Sequence, residues 1–200
     1  VYFQVPKLLF FKVDQFKSLL SSQNVIETIQ NNFRGNIIIR SSAADEDEQY
    51  NSSAGEYTSV LNVPSDNEHE IITAINTVIA SYKKKRQLLP DDEIIIQEMI
   101  LDITMSGVIF THDLNTGAPY YVINYDDQSG TTDTVTSGNG EYANRTLYIY
   151  RNSIDKIRSE RFTKLIQAVQ ELEQVMDSKF LDIEFALGTD LIPYIFQVRT

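Results

Sequence analysis

The sequence contains no cysteine, no tryptophan and only two histidines, His69 and His112. Without cysteine there is no disulfide framework, no thiolate nucleophile and no zinc–thiolate site. The two histidines lie far apart in the chain, so the sequence gives little support for a histidine-based metal centre or a Ser-His-Asp triad. The lack of disulfides is compatible with a cytoplasmic protein, and this is the location that we expect.

Long hydrophobic runs and an excess of positive charge are also missing. No apolar run reaches the roughly 18 residues of a membrane-spanning helix, and we expect no signal peptide. The formal net charge is −11 and the pI is near 4.6, which is the opposite of a nucleic-acid-binding footprint. We therefore expect no membrane and no nucleic-acid partner, and we read the acidity mainly as a source of solubility.

The 200 residues suit one domain or two small subdomains with a real core. Their periodicity predicts an α+β chain with a mixed or antiparallel sheet. A seam near residues 88–92 predicts an N-terminal subdomain at 1–90 and a C-terminal one at 91–200. We expect both to belong to a longer multidomain protein. Strands are predicted over 36–40, 56–63, 93–100, 107–111, 120–125 and 146–150, and helices over 13–33, 64–84 and 159–176.

The C-terminal stretch reads as a β-hairpin, with strands over 181–187 and 192–199 and a turn between them. Its apolar runs contain four strongly polar side chains: Asp182, Glu184, Gln197 and Arg199. Alternation puts the two acids on one face, and a near-symmetric pairing would place the amide and the guanidinium on the same side. Such a face offers oxygen donors for a hard cation and a planar fork for a phosphate.

These polar side chains allow two interpretations. Buried without partners they would cost several kcal/mol, so each must be satisfied in some way. An internal ion pair between Glu184 and Arg199 explains them as well as a metal–nucleotide site does. The hairpin alone leaves both open.

Three further stretches are candidates for chemistry. Residues 40–43 follow a buried strand, and their small side chains leave backbone amides able to point at an anion, although a capped turn would look the same. Residues 97–99 end another buried strand and could read the edge of a base, with Met99 against the ring, or simply be core. The Gly/Ser/Thr/Asp-rich loop 126–140 could be a phosphate cradle or a flexible excursion.

Taken in order, the motifs form a recognisable set: Arg40-Ser41-Ser42-Ala43-Ala44-Asp45-Glu46-Asp47, Ala54-Gly55, Leu61-Asn62-Val63, Gln97-Glu98-Met99, Ser106 to Thr111 with Asn115-Thr116-Gly117, Asp182-Ile183-Glu184-Phe185-Ala186, and Gln197-Val198-Arg199. The set resembles the ATP-grasp nucleotide-binding domain of the phosphoenolpyruvate synthase and pyruvate phosphate dikinase group, which includes the rifampin phosphotransferases. The resemblance covers about residues 5 to 200. It implies an α+β ATP-grasp fold with two small subdomains and the nucleotide cleft between them.

The resemblance also implies roles at the matching positions, with ATP and Mg²⁺ as cofactors. Arg40 would contact the phosphates, and Ser41, Ser42 and Ala43 would line the phosphate loop. Gln97, Glu98 and Met99 would lie at the adenine hinge. Glu184 and Gln197 would hold Mg²⁺, and Arg199 would bind the transferring phosphates, so that Arg40 and Arg199 are the implied catalytic residues.

In the family that it resembles, a phosphoryl group passes from ATP to a histidine on a separate swivelling domain of the same full-length chain, and then to an acceptor. An acceptor such as the L-glutamine amide or pyruvate would be recognised elsewhere. Neither His69 nor His112 lies in a matching motif, so this chain would bind Mg-ATP without completing turnover. The alternative is a non-catalytic α+β binding module whose polar strand residues form structural ion pairs.

Two departures from the family pattern stand out. In the family, a glycine- and lysine-containing segment precedes the Val-Pro motif and supplies a phosphate-binding lysine, but this sequence starts too close to Val5-Pro6 to contain it. The family's glycine loop is replaced by residues 125–130, although its end survives as residues 135–138. This version resembles the capsule-locus branch that contains the L-glutamine kinases.

Overall fold

The computed structural model describes residues 1–16, 19–42, 58–130 and 145–200. The strands are β1 (Leu8–Lys12), β2 (Asn36–Ser42), β3 (Val60–Pro64), β4 (Glu93–Glu98), β5 (Ile103–Phe110), β6 (Tyr120–Asp126), β7 (Arg145–Tyr150), β8 (Asp182–Gly188) and β9 (Pro193–Arg199). The helices are α1 (Leu19–Asn32), α2 (Glu68–Lys85) and α3 (Glu160–Val175), with short 3-10 helices at Val13–Phe16 and Arg151–Lys156. The strands form two antiparallel sheets, which confirms the α+β prediction.

The chain divides into two compact units, one of Lys7–Met99 and one of Val1–Pro6 together with Ile100–Thr200. The predicted boundary lies between residues 90 and 91, whereas the boundary of these units lies just after β4. The reason is hydrogen bonding, because β4 pairs with β1 on one side and with β2 on the other. A strand that the sequence assigned to the second half is thus the centre of the first sheet.

The Lys7–Met99 unit is built on a four-stranded sheet in the order β1-β4-β2-β3. One face of its central strands is a row of isoleucines without measurable exposure: Ile37, Ile39, Ile94 and Ile96. These side chains pack in one core with apolar residues of α1 and α2. Because side chains alternate along a strand, the same register leaves Ile38, Arg40, Ile95 and Gln97 on the opposite face.

Helix α2 begins later than its sequence signals indicated. Pro64-Ser65-Asp66 was expected to open the helix, but the cap is Asn67, whose side chain accepts a hydrogen bond from the Glu70 amide at 3.3 Å. Ile71, Ile75, Val78 and Ile79 are buried, whereas Ile72 is 37% exposed. The buried stripe continues to Tyr82 in the last turn.

The unit containing Ile100–Thr200 has a five-stranded sheet in the order β7-β6-β5-β8-β9. Helix α3 covers one face through Phe162, Leu165, Ile166, Val169 and Leu172, which share a core with Ile109, Ile123 and Ile183. At the outer edge, the backbone of Gln4 accepts from Ile195 at 2.9 Å and donates to Pro193 at 2.8 Å. In the described part of the chain, no helix combines the length and the apolar character needed to span a membrane.

A turn that contains Asn115-Thr116-Gly117 joins β5 to β6. The Asp113 carboxylate organises it by accepting hydrogen bonds from the amides of Asn115 and Thr116, at 3.1 and 2.8 Å. Gly117 has a φ of +66°, a backbone conformation that favours glycine. The two strands predicted over 107–111 and 120–125 are thus the paired strands of a hairpin.

Candidate functional site

The C-terminal hairpin pairs as its polar pattern predicted. Asp182 in β8 lies directly opposite Arg199 in β9, and Glu184 lies directly opposite Gln197. All four side chains therefore share one face of the sheet. Each is partly buried. Charges in such a setting interact more strongly than they do in water, because the effective dielectric constant is lower.

This face is the one that α3 does not cover. Ile183, between the two acids, points into the core beneath α3. On the neighbouring strand β5, Phe110 lies opposite Asp182 and Val108 lies opposite Glu184. The polar hairpin is thus bordered by apolar side chains on the same face, which lower the local dielectric.

The carboxyl group of Asp182 is the most perturbed group on this face. Its burial raises its pKa, the Arg199 guanidinium opposes that rise, and the Glu184 carboxylate adds to it. One carboxylate oxygen, Oδ1, is buried and has no hydrogen-bond partner among the described residues. A buried acceptor of this kind is costly unless a cation or a donor occupies the space beside it.

The Gln197 amide lies against the Arg199 guanidinium. One end of the amide is 2.9 Å from both Nε and Nη2 of Arg199, and because both nitrogens are donors we assign that end as the oxygen. The fork of Arg199 is therefore oriented by its neighbour two residues earlier. The amide would have to turn over to direct its oxygen at a cation elsewhere on the face.

The donor set of this face fits Mg²⁺ of the kind that is held jointly with phosphates. Within the described ranges, no three His, Cys, Asp or Glu side chains lie close enough to hold a metal ion among themselves. Mg²⁺ bound through one or two carboxylates, phosphate oxygens and water needs no such cluster. Glu184 and Gln197 were the ligands implied by the resemblance. The Asp182 oxygen without a partner among the described residues adds a third oxygen donor, which the resemblance does not imply.

The other implied site residues lie in the Lys7–Met99 unit. Arg40 in β2 is opposite Ile95, and Gln97 in β4 is opposite Ile38, so Arg40 and Gln97 share the face away from the isoleucine core. Ser41 and Glu98 fall on the other side by alternation. Ala43 lies outside the described residues.

Arg40, Ser41 and Ser42 belong to a strand, not to a loop. Strand β2 continues through Ser42, which pairs with Glu93 of β4. The Ser42 amide donates to the hydroxyl of Tyr82 at 2.8 Å. The expectation that successive amides here point at an anion is therefore wrong for Ser42, because a buried tyrosine already uses that amide.

Two backbone amides of the implied adenine hinge already donate hydrogen bonds within the protein. The Glu98 amide donates to the Lys7 carbonyl at 2.8 Å, and the Met99 amide donates to the Asn36 carbonyl at 3.1 Å. The Gln97 side chain is 1% exposed, and its Oε1 has no hydrogen-bond partner in the part of the chain that the structure describes. Recognition of a base would fall to other atoms of this segment.

The structure thus brings the implied site residues together as two sets. Glu184, Gln197 and Arg199 share one sheet face, and Arg40 shares another with Gln97. Of the loop 126–140, only residues 126–130 are described. There the Asp126 carboxylate accepts from the amides of residues 128 and 129 at 2.8 and 3.0 Å, which is ordinary turn chemistry.

The sequence matches a known protein family over residues 16–135, which is more than half of the chain. That family is described as the pyruvate phosphate dikinase, AMP/ATP-binding domain. The chain belongs to this family. The matched part contains β2, β4 and the β5–β6 hairpin but ends before β8 and β9.

Solved structures show the ATP-grasp fold for this chain. PH1788 from Pyrococcus horikoshii Ot3 aligns with a TM-score of 0.56 and 14% identity, covering 99% of this chain and 84% of that one. The dinucleotide-forming acetyl-coenzyme A synthetase 1 of Ca. Korarchaeum cryptofilum gives 0.55 and 12%, covering 98% and 86%. VanG D-Ala:D-Ser ligase from Enterococcus faecalis gives 0.51 and 16%, covering 99% and 48%.

The chain spans about half the length of VanG and of the other D-alanine ligases that it aligns with. No curated protein matches the sequence.

Proposed function

We propose that this chain binds Mg-ATP and is the nucleotide-binding part of an ATP-dependent phosphotransferase. The main support for this proposal is the hairpin face, on which Asp182 and Glu184 lie directly opposite Arg199 and Gln197, respectively. The two carboxylates would supply oxygens for Mg²⁺, the Gln197 amide would add its oxygen once it turns away from Arg199, and the guanidinium would supply a fork for phosphate oxygens. Membership of an AMP/ATP-binding domain family supports the same assignment.

Catalysis in such a site consists of positioning and charge neutralisation. Mg²⁺, when bound with the nucleotide, would offset charge on the phosphate oxygens. Arg199, oriented by the Gln197 amide, would hold the transferring phosphoryl group, and Arg40 would contact the phosphates from the end of β2. Gln97, Glu98 and Met99 would take the adenine end.

The proposed reaction continues outside this chain. The phosphoryl group would pass from ATP to a histidine on a swivelling domain of the same full-length protein, and from there to an acceptor, either the L-glutamine amide or pyruvate. Neither histidine of this chain is proposed for that step, because neither lies in a family motif. The glutamine kinase branch rests on the altered segments 125–130 and 135–138 of the sequence alone.

The alternative function, a non-catalytic module with structural ion pairs, would explain why an acid faces an arginine in the hairpin. It does not explain the family match, nor why the amide and a second carboxylate lie on the same face. A nucleotide effect that depends on Mg²⁺ separates the two functions.

Isothermal titration of the protein with ATP, with and without Mg²⁺, tests the proposal. We expect saturable binding that Mg²⁺ strengthens, and Glu184→Ala should remove most of the Mg²⁺-dependent gain while leaving the Mg²⁺-free binding. The matched control is Glu160→Ala, because Glu160 is 71% exposed in the first turn of α3 and forms a surface ion pair with Lys164 at 3.4 Å.

Two results would count against the proposal. Absence of ATP binding in the presence of Mg²⁺ would refute nucleotide binding. Unchanged Mg²⁺ dependence in Glu184→Ala would refute the site assignment while leaving the family membership intact.

A further inference from the structure

Tyr82 connects the last turn of α2 to the end of strand β2. Its side chain has no measurable exposure. Its hydroxyl accepts a hydrogen bond from the Ser42 amide at 2.8 Å and donates one to the Glu93 carbonyl at 2.6 Å. Ser42 and Glu93 lie opposite each other in the β2–β4 register. One phenol oxygen therefore joins both strands at a position two residues beyond Arg40.

The residue before Tyr82 makes a similar contact. The Ser81 hydroxyl accepts from the Thr58 amide at 3.4 Å and donates to the Val78 carbonyl at 2.7 Å. Two consecutive residues of α2 thus hold the amides of residue 42 and residue 58.

The ring of Tyr82 also contacts an arginine that belongs to an ion pair. Arg86 lies over the ring, with its guanidinium carbon 5.8 Å from the centroid. Arg86 in turn contacts both carboxylate oxygens of Asp92 at 2.7 and 2.9 Å, and Asp92 has no measurable exposure. The hydroxyl therefore has little freedom to follow Ser42 if the strand end moves, which makes it a fixed point.

We infer that Tyr82 is a positioning residue for the phosphate-binding end of β2. The inference rests on the proposed function, in which Arg40, two residues before Ser42, contacts the phosphates of ATP. Removing the hydroxyl would leave the Ser42 amide and the Glu93 carbonyl without this shared partner, and the strand end could then shift. A small displacement of a group that holds a reacting phosphate is sufficient to weaken binding and rate.

Tyr82→Phe tests the inference, with Tyr121→Phe as the matched control. Tyr121 is also fully buried, and its hydroxyl lies 3.0 Å from Glu173, but it belongs to the core of the other unit. Both variants lose one bonded phenol oxygen. The affinities for Mg-ATP and for adenosine should be measured on both, because only ATP carries phosphates.

We expect Tyr82→Phe to bind Mg-ATP about ten-fold more weakly while its affinity for adenosine stays unchanged. Tyr121→Phe should change neither affinity. A merely structural effect of Tyr82→Phe would weaken both ligands together, and that result would overturn the inference. Unchanged Mg-ATP affinity in a folded Tyr82→Phe protein would overturn it as well.

Failure of the proposed function gives a different result, because the wild-type protein would then not bind Mg-ATP at all. If Tyr82→Phe does not fold, amide hydrogen exchange of the wild type decides. The Ser42 amide should exchange as slowly as the Ile39 amide in the same strand, and fast exchange at Ser42 would refute the anchor.

Discussion

Asp182 lies directly opposite Arg199 across the β8–β9 pair, and the Arg199 guanidinium is also in contact with the amide of Gln197 at 2.9 Å. The Gln197 amide on the same strand thus orients the Arg199 guanidinium, and the Asp182 carboxylate on the facing strand interacts with its charge. The amide oxygen accepts from two nitrogens of the guanidinium, so it fixes the direction of the fork before any ligand arrives. Such preorganisation lowers the cost of ordering the side chain when phosphate binds.

Arg199→Lys should weaken Mg-ATP binding by about ten-fold or more, although the positive charge is kept. Lysine presents a single ammonium and cannot hold the amide through two nitrogens while facing a phosphate. Isothermal titration measures the change. Arg145→Lys is the control, because Arg145 starts the opposite edge strand β7 and contacts Asp127 at 2.6 Å. Equal affinity in wild type and Arg199→Lys would refute the role of the fork.

Asp182→Asn should raise the stability of the ligand-free protein at pH 7. Burial raises the pKa of Asp182 above its ordinary 3.8, so the ionised form costs stability in the folded state. For an acid with a raised pKa, the stability present at low pH is lost as the pH rises through the folded-state pKa. The unfolding midpoint of Asp182→Asn should therefore exceed that of the wild type at pH 7, and the gap should close as the pH falls toward 3.8.

Saturating Mg-ATP should reverse this order if Asp182 serves the proposed site, because the wild type then gains more from the ligand than the variant does. Thermal unfolding at several pH values, with and without Mg-ATP, measures both effects. A variant that is less stable than the wild type at pH 7 without ligand would show that Asp182 is instead a stabilising partner of Arg199.

The terminal hairpin could be predicted because all of its signals are local. Alternating polarity, a turn sequence and two strands of equal length determine which side chains share a face, and Glu184 opposite Gln197 follows directly from them. The β5–β6 hairpin was predictable for the same reason. The family resemblance was visible because several motifs follow one another in the family's order. A single short pattern would not have been specific enough.

Other features depend on tertiary contacts that short patterns do not encode. The membership of β4 in the first sheet is decided by its pairing with β1 and β2, which are distant in sequence. The anchor formed by Tyr82 depends on a helix end meeting a strand end 40 residues away.

Asp92→Ala should destabilise the protein strongly, whereas its neighbour Asp91→Ala should not. Asp92 has no measurable exposure and binds Arg86 through both oxygens, and it also accepts from the Leu89 amide at 2.7 Å. Breaking such a buried pair costs about 3 kcal/mol of unfolding free energy. Asp91 pairs with Lys12 at 3.0 Å with both side chains exposed, so its loss should leave the unfolding midpoint unchanged.

Chemical denaturation of the two variants measures this difference. Because the residues are adjacent and the substitution is the same, effects on the unfolded chain are matched. Equal destabilisation by both variants would show that the turn itself, and not the buried pair, is what the aspartates support.

Gly107→Ala should destabilise the β5–β6 pair far more than Gly188→Ala. A Cβ added at Gly107 would lie 2.1 Å from the backbone oxygen of Asn124, and backbone cannot move aside without breaking the sheet register. At Gly188 the closest atom is a carboxylate oxygen of Asp190 at 2.8 Å, which belongs to a side chain and can rotate away. Forced overpacking of this kind costs about 1–3 kcal/mol. Denaturant unfolding of both variants measures the costs, and equal costs would mean that the close approach of β5 and β6 at Gly107 is not what requires glycine there.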